Sequence, residues 1–228
     1  MGPELPFRSY YGGGGEMRPE SVYNVQFEER TSYGVRTMTP IAKLFDERII
    51  FVGGTIVGEA ADHLMAQLLV LESMDPDREI IMYINSPGSG PNDEYADDIY
   101  SLTAVYDTMQ YVRPDIRTVC LGQAVSTAAV LLAAGAPGKR LTVPNARVLI
   151  RQPRGGSPRR EQISDLELRA NEVSRTRHLL ERVLSLHTGR SQEEVHRDIE
   201  REKILTAEGA KEYGMVDEII QSRKLSAV

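Results

Sequence analysis

A chain of 228 residues, 41% hydrophobic and 26% charged, is long enough and ordinary enough in composition to bury one full-sized core. A formal net charge of −6 argues against a general nucleic-acid or acidic-membrane binder, and no apolar run approaches the ~18 residues that a membrane-spanning helix needs. The single cysteine, Cys120, excludes an internal disulfide and fits a reducing cytosol; set in an apolar run, it reads as core rather than as a thiol nucleophile.

Residues 1–21 hold Gly12 to Gly15 and little apolar periodicity, so they read as a flexible tail. They lack the apolar centre of a secretory signal, are not rich in Arg and Ser, and carry Glu4, Glu16 and Glu20. Secretion and organelle import are therefore not indicated, and a cytoplasmic protein is expected. Residues 22–39 mix polar and aromatic side chains and read as an arm or loop, with regular structure expected from Pro40. A strand is predicted at 48–52 and a helix at 58–73, whose Ala61, Leu64, Met65, Leu68 and Leu71 fall near one face. A strand at 79–85 ends in Ser86-Pro87-Gly88, and a helix follows at 101–112. Next come a strand at 116–121, a helix at 126–134 ended by Gly135, and strands at 139–143 and 147–152. A long helix is predicted at 161–186, and Ser191-Gln192-Glu193-Glu194 has the spacing of a capping box. A short helix at 206–213 and a strand at 216–220 complete the series. Strands alternating with helices predict an α/β layered fold, and no internal repeat is visible.

Ser126 lies where an apolar strand ends and an Ala-rich helix begins. A small-residue turn there lifts a side chain clear of the sheet and points helix N–H groups at the same spot. Ser126 then reads as a nucleophile and the Thr127 amide as an oxyanion donor; the alternative is that Ser126 only caps the helix.

The motif series Glu47-Arg48-Ile49-Ile50-Phe51, Tyr83-Ile84-Asn85-Ser86-Pro87-Gly88, Tyr106-Asp107-Thr108-Met109-Gln110 and Gly122 through Ser126 resembles the ClpP family, the proteolytic subunit of the Clp protease. Leu131-Leu132-Ala133-Ala134-Gly135, Pro144-Asn145-Ala146-Arg147, Gln152-Pro153, His187-Thr188-Gly189 and Glu212-Tyr213-Gly214-Met215-Val216-Asp217 continue the match, in order, over residues 22–220. The resemblance implies an α/β fold of the ClpP/crotonase type with a protruding handle helix, over about 152–187. It implies an axial-pore arm at 22–39 and a serine-peptidase domain at 40–228. Subunits of this family stack as two rings, typically heptameric, around a closed chamber. The resemblance places the nucleophile on Ser126 and the triad aspartate on Asp198; the triad histidine falls on Arg151.

That substitution removes the base. A guanidinium stays protonated and has no acceptor lone pair, so it neither takes the serine proton nor returns it to the leaving amine. Loss of the histidine from such a triad costs about 10⁶ in kcat, roughly 8 kcal/mol of barrier. Asp198 is expected to pair with Arg151, with Arg197 or a neighbouring subunit as other partners and a catalytic aspartate as the alternative role. His63, His178 and His187 lie in other parts of the sequence. His196, two residues before Asp198, is its only histidine neighbour in sequence, and positions two apart on a helix do not face each other.

A second departure follows Gly88. The chain runs Ser89-Gly90-Pro91-Asn92-Asp93-Glu94-Tyr95-Ala96-Asp97-Asp98 before the next helix, longer than the family pattern. Ser89, or Gly90, then stands where the family has an oxyanion-hole glycine. The acids Asp93, Glu94, Asp97 and Asp98 form either a solvated insertion or a reshaped groove wall. Tyr83 retains one aromatic of the cleft on which AAA+ unfoldases dock in this family, while Ile81 replaces another. Gly155-Gly156 resembles the strand that meets the opposite ring, and a turn before the long helix is its plain reading. The basic residues around it, Arg154, Arg159 and Arg160, read as solvated surface or as a contact for an acidic partner ring.

The resulting expectation is a non-catalytic or weak subunit of an ATP-dependent Clp serine protease core that degrades unfolded proteins. It would join a ClpP-family paralogue in a hetero-oligomeric double ring and serve in ring architecture, gating or unfoldase selection. The alternatives are an active serine endopeptidase using Ser126 with an unusual base, and a stand-alone peptide-binding protein. No metal or organic cofactor is indicated, and with no Gly-x-x-x-x-Gly-Lys-Ser/Thr loop in the chain, ATP would be used by the partner unfoldase.

Overall fold

The computed structural model describes residues 25–31, 34–89, 98–154 and 162–221. The expected tail at 1–21, the start of the arm at 22–24 and most of the insertion after Ser89 lie outside the described residues. The chain divides into two compact units, Met1–Lys43 and Leu44–Val228.

In the first unit the expected loop is a hairpin. β1 (Phe27–Thr31) pairs antiparallel with β2 (Gly34–Met38), Phe27 opposite Met38 and Thr31 opposite Gly34. Of β2 only Met38 is buried, so the apolar alternation that announces a half-buried strand is missing from the sequence. Lys43 Nζ meets Glu29 Oε1 at 2.8 Å within this unit. The boundary between the units falls inside a short helix, α1 (Pro40–Asp46).

The second unit is built on a mostly parallel sheet in the order β3 (Ile49–Val52), β4 (Ile80–Ser86), β5 (Ile116–Val125), β6 (Arg140–Thr142) and β9 (Glu218–Ile219). β7 (Arg147–Ile150) also pairs with β5, and antiparallel with β8 (Lys203–Leu205). β5 is therefore shared: Thr118–Cys120 pair with β6, and Gln123–Val125 pair with β7. This sharing explains why β5 outruns the strand predicted at 116–121. The Leu121-Gly122-Gln123 stretch reads as a turn by composition, yet β7 supplies its ladder partners.

Buried side chains of β3 and β4, among them Ile50, Val52, Ile80, Met82 and Ile84, form one wall of the core. Ala61, Leu64, Leu68 and Leu71 of α2 (Gly58–Met74) and Leu102, Val105 and Met109 of α3 (Ile99–Tyr111) belong to the same cluster. α4 (Thr127–Ala133) is buried on every face, which its run of small and aliphatic residues permits. α5 (Ile163–Thr188) is the long helix predicted at 161–186; only Leu180, Glu181 and Leu184 of it are buried, and Gly189 ends it at φ 73°. α6 (Gln192–Asp198) opens with the predicted capping box of Ser191 and Glu194, and α7 (Ala207–Tyr213) follows β8. Cys120 is fully buried, and burial pushes its thiol pKa up, as befits a core residue. Among the described residues no helix is long and apolar enough to cross a membrane.

Candidate active site

β5 delivers the chain to Ser126 and α4 takes it away, and the junction is strained. Ser126 has φ 52° and ψ −109°, one of two positive-φ residues other than glycine among the described residues. Its N–H donates to the Leu149 carbonyl at 2.8 Å, and its own carbonyl accepts from Ala129 N and Val130 N at 3.0 and 3.2 Å. The backbone is thus gripped on both sides. The side chain makes no capping hydrogen bond, so although Ser126 occupies the N-cap position, helix capping is not what its hydroxyl does.

The Ser86-Pro87-Gly88 turn reaches the same junction from β4. Gly88 sits at φ 78°, and a Cβ on it would run into the Val125 carbonyl oxygen. Gly88 N donates to Ser86 Oγ at 3.1 Å, Ser86 Oγ donates to the Gly54 carbonyl, and the Gly88 carbonyl accepts from Ile56 N at 2.9 Å. Ser89 Oγ then lies 3.4 Å from Thr127 Oγ1, so the two residues predicted for the oxyanion site are neighbours. Thr127 opens α4, so its amide has no partner in the preceding helical turn.

The described ends of the insertion, Ser89 and Asp98, belong to this frame. Asp98 N donates to Ser89 Oγ at 3.2 Å, which ties the two described ends of the insertion together. Of its acids, Asp93, Glu94 and Asp97 lie outside the described residues. Asp98 is a helix cap rather than a member of a free acidic patch: it accepts from Ser101 N at 3.0 Å, Ser101 Oγ at 2.6 Å and Gly58 N at 3.2 Å. Burial opposes its charge, but these hydrogen bonds outweigh it and hold its carboxyl below the usual range.

Arg151 follows β7 directly, and its side chain is 9% exposed. Its Nη1 donates to Glu202 Oε1 at 3.0 Å, and Arg154 Nη2 reaches the same oxygen at 2.6 Å. Asp198, the last residue of α6, meets Lys203 Nζ at 2.6 Å. In place of the expected Arg151–Asp198 pair, each is engaged with a different partner. Glu202 and Lys203 are consecutive where the chain enters β8, and consecutive residues of an extended chain point to opposite sides. One therefore serves Arg151 and the other Asp198. Burial works against the Asp198 charge, but Lys203, the nearby Tyr213 hydroxyl and the charge of Arg190 together hold its carboxyl below the usual range. Tyr213 is buried beside this carboxylate, and both effects push its phenol strongly up; the two groups approach without full hydrogen-bond geometry.

The four histidines are engaged elsewhere. His63 contacts Glu59 at 3.4 Å, His178 and His196 contact Glu181 at 3.0 and 2.7 Å, and His187 Nε2 meets the Tyr106 hydroxyl at 3.0 Å. Glu202, Lys203 and Tyr213 are the site residues that sequence reasoning missed. The Tyr213-Gly214 motif carried the only usable signal, and it did not point to Asp198.

Comparison with known proteins gives the family. The Clp protease family matches residues 32–223. The chain is 54% identical to the ATP-dependent Clp protease proteolytic subunit 1 of Thermobifida fusca (strain YX), over 97% of this chain and 96% of the relative. It is 57% identical to the proteolytic subunit 2 of Corynebacterium jeikeium (strain K411), over 92% and 96%. It is 54% identical to the proteolytic subunit 2 of Mycobacterium tuberculosis (strain CDC 1551 / Oshkosh), over 93% and 96%. The α/β fold with its parallel sheet is that of the ClpP/crotonase type. A strained serine between β5 and a buried helix, beside a Ser-Pro-Gly turn and matched along nearly the whole chain, leaves one assignment: the chain belongs to the Clp protease family.

Proposed function

We propose that this chain is a subunit of the proteolytic core of an ATP-dependent Clp protease acting on unfolded polypeptides, and that it does not itself cleave peptide bonds. The second half of the proposal rests on Arg151, which the resemblance puts at the position of the base. Its guanidinium donates to Glu202 and offers no lone pair to the Ser126 proton. Ser126, Ser89 and Thr127 remain as nucleophile and oxyanion positions, and Asp198 as a structural carboxylate held by Lys203. The subunit then acts through ring architecture, gating or selection of the unfoldase, in a double ring shared with a ClpP-family paralogue. Relatives named as subunit 1 and as subunit 2 match it about equally well, which suits a family of cooperating paralogues. ATP is consumed by an AAA+ partner. Phe51 and Leu121, 39% and 42% exposed on strands flanking the one that carries Tyr83, supply apolar surface for its docking.

The test is hydrolysis of a fluorogenic short peptide by the purified chain beside its Arg151→His variant. The expected result is an inactive parent and a variant that turns over substrate. Activity in the parent that disappears in Ser126→Ala would overturn the proposal. It would favour the second reading, an active endopeptidase with an unusual base. The retained strain and uncapped hydroxyl of Ser126 favour that reading, and covalent labelling of Ser126 in the parent by a serine-directed phosphonate would mark it.

A further inference from the structure

α2 begins without a cap of its own. Its N-cap residue, Val57, has no side-chain acceptor, so the first N–H groups of the helix need one from elsewhere. The start of α3 supplies it. Gly58 N donates to Ser101 Oγ at 2.9 Å and to Asp98 Oδ2 at 3.2 Å, and Ser101 Oγ donates to the same Asp98 oxygen at 2.6 Å. The other oxygen, Oδ1, accepts from Ser101 N at 3.0 Å and so caps α3 itself. One carboxylate thus opens both helices.

The loop before α2 leads back to the Ser126 junction. Ile56 N donates to the Gly88 carbonyl at 2.9 Å, and the Gly54 carbonyl accepts from Ser86 Oγ. Ser89, the next residue after Gly88, accepts from Asp98 N at 3.2 Å through its Oγ. The contacts therefore close on themselves: from Asp98 to Gly58, from Ile56 to Gly88, and from Ser89 back to Asp98. The turn is also packed against the junction. A Cβ on Gly88 would meet the Val125 carbonyl oxygen and Thr127 Oγ1, and Ser89 Oγ lies 3.4 Å from Thr127 Oγ1. A glycine in place of Ser89 would offer Asp98 N no acceptor, so the circuit depends on the serine.

We propose that Asp98 is a positioning residue: it closes a circuit of hydrogen bonds, through the 54–58 loop and the 86–89 turn, that sets Ser89 beside Thr127 at the start of α4. None of these hydrogen bonds involves Arg151, so the circuit operates in a subunit that cleaves peptides and in one that does not. Loss of the carboxylate frees Gly58, and with it the loop whose Ile56 holds Gly88. The oxyanion positions then lose their fixed spacing without any change in their own residues.

Hydrogen exchange of the full chain tests this. Asp98→Ala should speed exchange about fivefold at Gly58 and Ser101, whose bonds it removes, and by as much at Ile56 and Gly88, which Asp98 does not bond. Met82, in β4, should be unchanged. Asp98→Asn keeps an acceptor and should restore most of the protection. Ser89→Ala cuts the circuit at its opposite point and should speed exchange at Ile56 and Gly58. In Asp98→Ala/Ser89→Ala the second cut should add little, because a circuit opens only once. A local cap would confine the effect of Asp98→Ala to Gly58 and Ser101, and two independent ties would add in the double variant; either result overturns the proposal. Should Asp98→Ala fail to fold, Ser89→Ala carries the test, and an effect confined to Asp98 N overturns it. In an Arg151→His background, Asp98→Ala should lower kcat about threefold with KM level, because Ser89 stands at an oxyanion position. A raised KM with kcat unchanged would count against that role. The exchange measurement decides even if that background hydrolyses nothing.

Discussion

Ser126 holds a backbone conformation that a residue with a Cβ adopts only under constraint, and the constraint is visible in the hydrogen bonds of its own N–H and C=O. Such strain costs about 1–3 kcal/mol. Ser126→Gly should therefore be more stable than Ser126→Ala by about 1 kcal/mol, after allowing for the greater freedom of unfolded glycine. Chemical denaturation of the two variants measures this, and an alanine variant as stable as the glycine one would mean that the junction stores no strain. Gly88 tests the neighbouring turn. Gly88→Ala should destabilise by about 2 kcal/mol or more, because φ is positive and the new methyl meets the Val125 carbonyl. In an Arg151→His background it should also abolish any recovered hydrolysis, since the displaced segment carries Ser89. At this scale motif order offered Ser126, Arg151 and Asp198 as candidates, and the structure displays the strained Ser126 junction but no pair between the other two. The sequence was silent on their partners. Whether Glu202 or Lys203 turns towards Arg151 depends on the side of an extended chain each faces, and only the placement of β8 decides that.

The elements show the same division. Those with strong apolar periodicity, α2, α3, β3 and β4, were legible to within a residue or two. β1, β2 and β8 were not, because their side chains are largely polar or exposed and their ladders come from partners the local pattern does not name. The clearest cause hidden in a familiar motif is Arg48. The residue is buried, and its backbone lies at φ 64°. It donates to the carbonyls of Leu71, Asp75, Arg78 and Glu79 at 2.8 to 3.2 Å. One guanidinium thus ends α2 and fixes the entry to β4. Arg48→Met should cost about 3 kcal/mol or more, since several carbonyls lose their only charged donor in a buried site. An equilibrium unfolding curve matching that of the parent would show that these carbonyls find other donors. α6 depends on a cap instead. Ser191→Ala removes the bond from Glu194 N to Ser191 Oγ and should cost about 1 kcal/mol. Because α6 ends on Asp198, the loss should appear as faster amide exchange there before it appears in global unfolding.

Across the second unit, Arg140 ties distant parts of the chain together. From β6 it bonds both carboxylate oxygens of Asp217, the His187 carbonyl at 2.6 Å and the Gly214 carbonyl at 2.9 Å. It thereby joins the central sheet to the ends of α5 and α7. Its side chain and that of Asp217 are 11% and 23% exposed, so solvent screens the pair only in part. Burial opposes the Asp217 charge, but its hydrogen bonds with Arg140 and the Arg140 charge outweigh it and hold the carboxyl below the usual range. The contribution of this pair is thus fully present above the unfolded carboxylate value near 4 and is lost as pH falls through the lower folded value. Asp198 and Glu181 are depressed in the same direction, so acid should loosen the unit at several places together. Asp217→Asn isolates one of them. At pH 7 the variant should be roughly 3 kcal/mol less stable than the parent, because Arg140 keeps its buried charge and loses its counter-ion. The difference should shrink as pH falls below about 4, where the parent protonates Asp217 and comes to resemble the variant. Denaturation midpoints of both proteins, measured from neutral pH downwards, decide the matter. A gap that stays constant into the acid range would mean that Arg140 is held by the His187 and Gly214 carbonyls, with the ion pair contributing little.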